Sequence, residues 1–302
     1  MSGSLRDRVT EALAQDVRPE VAAFASKLGA EAGALAVLFY GSNLRTGSLE
    51  GVLDFYVLLP GPQVERIWPR VSYREWRHER SILRAKIATM SLAKFRAAAA
   101  GETRDTTIWA RFVQPSALAW TRDQEAAESV QEAVVAAARI ASRLAAALGP
   151  EEGTAGDYWR ALFRATYRAE FRVEKAGREN DILAVNRAHF DGLLPLAWSE
   201  QDIEFVRDGE RLRPGLDERR RATIRRWWNT RQRLGKPLNL LRLSKATTTF
   251  EGAAAYAAWK VERHTGIAFE VTPFREKHPL LAAPGVLWTL WRRGRKKRAD
   301  HM

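Results

Sequence analysis

The first half of the chain alternates short, continuous apolar runs with helical segments. Residues 4–15 and 18–30 read as two opening helices. The run 34–40 (Ala-Leu-Ala-Val-Leu-Phe-Tyr) reads as a buried strand ending at Gly41-Ser42. A flexible Gly/Ser-rich loop is expected over 41–51. A second apolar strand follows over 52–59, stopped by Pro60-Gly61-Pro62. A further strand is expected near 82–90, a helix over 105–113, and a long Ala-rich helix over 123–148 that ends at Gly149-Pro150. Beyond a linker at 151–157 the pattern turns helical, roughly 157–175, 180–194, 216–234, 249–264 and 284–298. Strands are expected only in the first half.

This pattern predicts an α/β (α+β) fold, with a mixed sheet flanked by helices and then a mostly helical domain. The expected divisions are a catalytic domain over 1–150, a helical C-terminal domain over 157–283, and a basic amphipathic tail over 284–302. A winged-helix-like arrangement is one form the second domain could take. No internal repeat and no low-complexity tract interrupts the pattern.

Charge sharpens this picture by its placement. The 302 residues carry 49 Lys+Arg against 36 Asp+Glu, a formal net charge of +13. Between Arg211 and Arg233 stand nine arginines and two acids, Asp217 and Glu218. Between Arg292 and Arg298 stand six basic residues and no acid. These two segments account for the whole excess, so the remaining body is neutral. Two basic surfaces suit phosphate-rich partners, either nucleic acid or an anionic membrane surface.

Composition removes several chemistries. There is no cysteine, which excludes disulfides, Cys-ligated zinc, iron–sulfur clusters and a thiol nucleophile. The five histidines lie at 78, 189, 264, 278 and 301, and none forms an H-x-x-x-H pair. The N-terminus lacks a secretory pattern and no apolar run is long enough to span a bilayer. Trp288 and Trp291, however, run directly into Arg292, Arg293, Arg295, Lys296, Lys297 and Arg298. Trp and apolar residues abutting a basic cluster describe an interfacial anchor, which predicts a cytoplasmic protein peripheral to a membrane surface.

The chemistry-bearing pattern is strand, Gly41-Ser42, loop, then Asp54 within the second strand. Gly41 permits close backbone approach to a phosphate, and N–H groups at a turn, with the Ser42 hydroxyl, can donate to its oxygens. Asp54 is an acid in an apolar strand, so it needs a metal or a partner, and Mg²⁺ bound to the same phosphates would serve. Arg84 and Lys86 share one face of the strand expected at 82–90 and could reach phosphates too.

The run Leu38-Phe39-Tyr40-Gly41-Ser42, with Leu53-Asp54-Phe55, resembles the signature of the DNA-polymerase-beta-like nucleotidyltransferase superfamily. More narrowly it is similar to the mitochondrial-type phosphatidate cytidylyltransferases, the peripheral CDP-diacylglycerol synthases. Further blocks follow in order. Arg111-Phe112-Val113-Gln114-Pro115 resembles a family Gly-Arg-Leu-x-Lys-Pro block, with Gln114 where the family has Lys. Tyr167-Arg168-Ala169-Glu170-Phe171-Arg172 resembles Tyr-Ser-Gly-Asp-Phe-Arg, and Asn186 to Phe190, containing His189, resembles Asn-x-x-His-Phe. A looser match covers 247–252. The resemblance spans about 35–265.

This resemblance implies transfer of CMP from CTP to a lipid phosphate, phosphatidate or similar, with Mg²⁺ and release of pyrophosphate. It implies nucleotide contacts from Tyr40, Gly41, Ser42 and Arg111, with Gln114 at the position of the family's Lys, and Arg84 and Lys86 join them as candidates from their shared strand face. The wider superfamily has a second Asp two residues after the first; position 56 here is Tyr. A second carboxylate beside Asp54 must come from elsewhere, with Glu170 the first choice and Glu79 the second. Lys245 is a candidate lipid- or nucleotide-phosphate ligand. Two other functions stay open: a nucleotidyltransferase acting on nucleic acid or tRNA, and one acting on a small metabolite. A non-enzymatic regulator on a degenerate fold of this type is a third.

Overall fold

The computed structural model describes residues 3–79, 81–170, 177–265 and 272. The helix and tail expected over 284–302, with Trp288, Trp291 and the basic run 292–298, lie outside the described residues. So does Phe171-Arg172.

Two helices open the chain, α1 (Leu5–Leu13) and α2 (Pro19–Ala32). Ser4 and Asp7 close a capping box on α1, and Pro19 starts α2, where its missing N–H costs no helical bond. The main sheet holds β1 (Ala36–Tyr40), β2 (Leu53–Leu59), β3 (Arg70–His78), β4 (Ser81–Ser91) and β5 (Ser116–Thr121), in the order β3-β4-β2-β1-β5. The β2–β4 pair is parallel and the other pairs are antiparallel, so the sheet is mixed. Between the strands lie α3 (Ser42–Thr46), α4 (Leu92–Ala99) and α5 (Thr107–Phe112).

Period-two alternation sorts the strand residues onto two faces. Ala36, Leu38, Tyr56, Leu58, Ala88 and Met90 join the larger core with α4, α5 and α6 (Gln124–Leu148). Val37, Phe39, Leu53, Phe55, Val57 and Ile87 join a smaller core under α2. Phe55 is fully buried there, and truncating such a side chain to Ala costs about 3–5 kcal/mol. At Gly29, α2 lies so close to β5 that a Cβ would meet the Trp120 ring at 2.4 Å.

The larger core continues past residue 150 through Tyr158, Trp159, Phe163, Phe190, Trp198 and Trp228. These come from α7 (Ala155–Ala169), α9 (Arg187–Ser199) and α10 (Glu218–Thr249), with α8 (Arg178–Val185) leading into α9. A three-stranded sheet, β6 (Gly153–Thr154), β8 (Arg211–Pro214) and β7 (Phe205–Asp208), borders them. The last described helix is α11 (Ala253–Thr265).

The structure corrects several expectations. Strands are not confined to the first half. β7 is mostly exposed, and the alternation of β8 (Arg-Leu-Arg-Pro) covers only four residues of a strongly charged stretch, so the pattern did not mark a hairpin. The loop 41–51 contains the short helix α3. The segment 151–157 is no slack linker: it forms β6 and a Thr154/Asp157 capping box on α7. The helix expected over 180–194 is two, meeting at Asn186. The one expected over 216–234 runs to Thr249, through Gly235 and Pro237.

Candidate active site

Tyr40 at the end of β1 pairs in register with Asp54 near the start of β2. Gly41 follows with φ 92 and ψ −161, a conformation essentially reserved for glycine. A Cβ there would stand 3.0 Å from Asp54 Oδ2. The backbone therefore turns against the Asp54 carboxylate at a spot where only glycine fits. Ser42, first residue of α3, is exposed beside it. Asn43 is buried and donates from Nδ2 to the carbonyls of Ser48, at 2.9 Å, and Glu50, at 2.8 Å. That side chain ties the 47–51 turn back onto α3.

Across β2, Asp54 is in register with Lys86 of β4, and Lys86 with Tyr73 of β3. Asp54 and Lys86 thus share a face, with Arg84 two positions from Lys86 on that face. Arg84 Nε lies 3.3 Å from Glu75 Oε1, and Glu75 accepts a 2.7 Å hydrogen bond from the Tyr73 hydroxyl. Burial, then the bond to Glu75, raises the Tyr73 phenol above its ordinary range.

Behind Asp54, α5 supplies Arg111. Its guanidinium lies 5.0 Å from the Tyr40 ring centroid and 6.0 Å from that of Tyr56. Burial works against this charge, but Tyr40, Tyr56, Glu170 and Asp54 more than offset it and hold the guanidinium above its usual value. Burial also pushes the Tyr40 phenol up, against the opposing pull of Arg111. Glu170 caps the C-terminus of α7, is 4% exposed, and accepts a 3.0 Å hydrogen bond from Thr106 Oγ1. Asp54 and Glu170, from opposite halves of the chain, therefore act on one arginine.

The other expected residues have surroundings of their own. Glu79 sits in the β3–β4 turn, with φ 50. Ser81, the first residue of β4, is five positions from Lys86, so the turn stands roughly 17 Å or more along the strand from the Asp54 row. Glu79 is not brought to Asp54. Gln114 donates to the Ala110 carbonyl at 3.2 Å and lines a small cavity with His189 and Leu193. Lys245 donates to the Ile67 carbonyl, and its neighbour Arg242 pairs with Asp105 and donates to the Trp68 carbonyl. His189 Nε2 lies 3.0 Å from the Val113 carbonyl, and burial lowers its pKa to about 4. It is a neutral packing residue joining α9 to the end of α5. Among the described residues, no group of three or more His, Asp or Glu is placed to hold a metal ion.

Sequence reasoning missed a cavity that α11 borders. A cavity of about 600 Å³ opens beside the 48–51 turn, lined by Arg18, Glu50, Gly51, Arg84, Trp259 and Arg263 among others. The guanidinium groups of Arg84 and Arg263 lie 5.6 and 5.4 Å from the Trp259 ring centroid. Trp259 and Arg263 are four apart on one helix, and that spacing was the available signal. A larger cavity of about 1290 Å³ lies between α1, α8, α9 and the β7–β8 hairpin. Its charges answer one another, as where Arg187 meets Asp191 at 3.1 Å and Glu210 at 2.9 Å.

No helix among the described residues is long and apolar enough to cross a membrane. No protein-family model matches this chain, and no curated protein matches it.

Proposed function

We propose that this chain is a nucleotidyltransferase that moves CMP from CTP to a lipid phosphate, giving a CDP-lipid and pyrophosphate. The observation that carries this reading is Gly41 turning against the Asp54 carboxylate at the ends of two paired strands. A nucleotidyltransferase-type sheet is part of the proposal, and the choice of CTP and lipid follows the sequence resemblance.

In this reading, the turn at Gly41-Ser42 takes the triphosphate, and Lys86 and Arg84 flank it. Arg111 supplies the counter-charge of the two carboxylates. Mg²⁺ is commonly held by one or two carboxylates plus substrate phosphates. In that use Asp54 would be the first ligand and Glu170 the second. The ion would supply charge neutralisation at the α-phosphate.

A lipid phosphate oxygen attacks the α-phosphorus of CTP. The new P–O bond forms as the bond to the β-phosphate bridging oxygen breaks, and pyrophosphate leaves with that electron pair. A phosphomonoester has its second pKa near 6, so the nucleophile is ionised at neutral pH and needs no general base. The half-buried, neutral His189 has no part in it.

The test is pyrophosphate release by the full chain, with four nucleoside triphosphates crossed against a panel of lipid phosphates in vesicles. Turnover should require CTP and a lipid phosphate. Asp54→Asn should lower it about 10²–10³-fold while the chain stays folded. Full turnover in that variant would sink the proposal. Turnover that requires RNA would favour the nucleic-acid reading, which the basic α10 keeps in play.

A further inference from the structure

The nine arginines of the segment 211–233 do not form one class. Arg211 and Arg213 both pair with Glu152, each at 2.6 Å. Arg221 and Arg225 donate to the carbonyls at the end of α6, where Ala147 accepts from both. Arg220 donates to the Gln201 and Asp202 carbonyls, and Arg231 to that of Gly101. These six arginines fasten α10 and the hairpin to the body.

Arg219, Arg226 and Arg233 remain. All three are exposed, and their side chains make no hydrogen bond or ion pair with the described residues. They recur every seven residues, so they form one stripe that drifts only about 20° per repeat. Lys236 is exposed beside it, and the next repeat is Leu240, 66% exposed, with Leu241 at 49%. The opposite side of α10 buries Ile224, Trp228 and Gly235. The stripe from 219 to 240 is about 32 Å long. After Glu218, α10 contains no acidic residue.

We infer that this stripe is a docking face for an anionic lipid bilayer. A basic stripe of this kind attracts an anionic partner. The chain's own residues 266–302, with eight basic against three acidic groups, would be repelled by it. The exposed leucines choose between anionic partners: a nucleic-acid phosphate backbone has no use for them, whereas a bilayer interface takes basic and apolar groups together. The first stripe residue adds a second feature. Arg219 shares a cavity of about 630 Å³ with Arg143, Arg220, Asp217, Gln201 and Thr223 among others. Burial, then the Arg220 charge, works against the Arg143 guanidinium. A lipid headgroup phosphate there relieves that repulsion. This inference stands whether or not the chain turns over CTP.

The test is flotation of the full chain with phosphatidylcholine vesicles, with and without phosphatidylglycerol, at low and high salt. Each basic residue at an anionic leaflet contributes about fivefold in binding. R219Q/R226Q/R233Q should therefore lower partition into the anionic vesicles about 100-fold, and each single change about fivefold. L240S/L241S should keep the low-salt binding and lose what persists at high salt. A control removing three exposed arginines elsewhere, R6Q/R77Q/R207Q, should change partition much less. The inference is overturned if the stripe variants float like the parent chain, if the control falls as far, or if the parent chain prefers single-stranded RNA to the anionic vesicles.

Discussion

Gly41 and Asp54 meet where β1 ends and β2 begins, close enough that a Cβ on the glycine would stand 3.0 Å from Asp54 Oδ2. Two constraints coincide in that contact. The backbone angles at Gly41 belong to glycine, and the space in front of it belongs to a carboxylate. Gly41→Ala should therefore lower the melting temperature, consistent with about 1–3 kcal/mol of backbone strain. It should also displace Asp54 and depress turnover beyond what the stability loss explains. A variant that melts and turns over like the parent chain would show that the contact has no role.

Arg111 is the common counter-charge of Asp54 and Glu170. Removing one partner of a buried charge set costs about 3–5 kcal/mol, because the others are left uncompensated. Arg111→Ala should destabilise the chain by about that much in urea unfolding. Arg111→Ala combined with Glu170→Gln should recover part of the loss, since one of the stranded acids is gone. A double variant no more stable than the single one would mean that the two groups do not interact.

His189 makes stability depend on pH. Its ordinary pKa is 6.5 and burial lowers it to about 4 in the fold. Between those values the unfolded chain binds more protons than the native one, so stability falls as pH drops from about 6.5 toward 4 and is flat above. The residue is half-buried, so the loss is about 2 kcal/mol rather than the full value of the shift. His189→Gln, measured by urea unfolding at pH 7 and at pH 4.5, should show a smaller difference between the two than the parent chain. An equal difference would place the pH dependence elsewhere.

The sequence made the centre of this molecule legible and left its margins dark, for a physical reason. β1 and β2 are buried on both faces and therefore read as unbroken apolar runs, which also made Asp54 stand out. β3 is an edge strand with Arg70, Arg74 and Arg77 exposed along it, and that charge hides it. The helix α10 passes Gly235 and Pro237, residues that usually announce an end. At the site, Gly41 and Asp54 were readable because they are neighbours in pattern. Thr106, which bonds Glu170, and the Trp259–Arg263 pair beside Arg84 were not, because only long-range packing places them. Glu79 shows the converse: a carboxylate at a plausible spacing, carried to the far end of a hairpin.

The edge strand β3 has one more property. Its Tyr73 N–H donates to the Glu251 carbonyl at 2.8 Å, and Ser72 bridges to the same residue. Gly252 follows so closely that a Cβ would lie 2.4 Å from the Tyr73 carbonyl oxygen. The start of α11 thus acts as a guard on a strand whose free hydrogen-bonding groups would otherwise recruit another chain. Residues just after α10 thus belong to the sheet's solubility. A fragment ended at 249 would carry an open edge into solution.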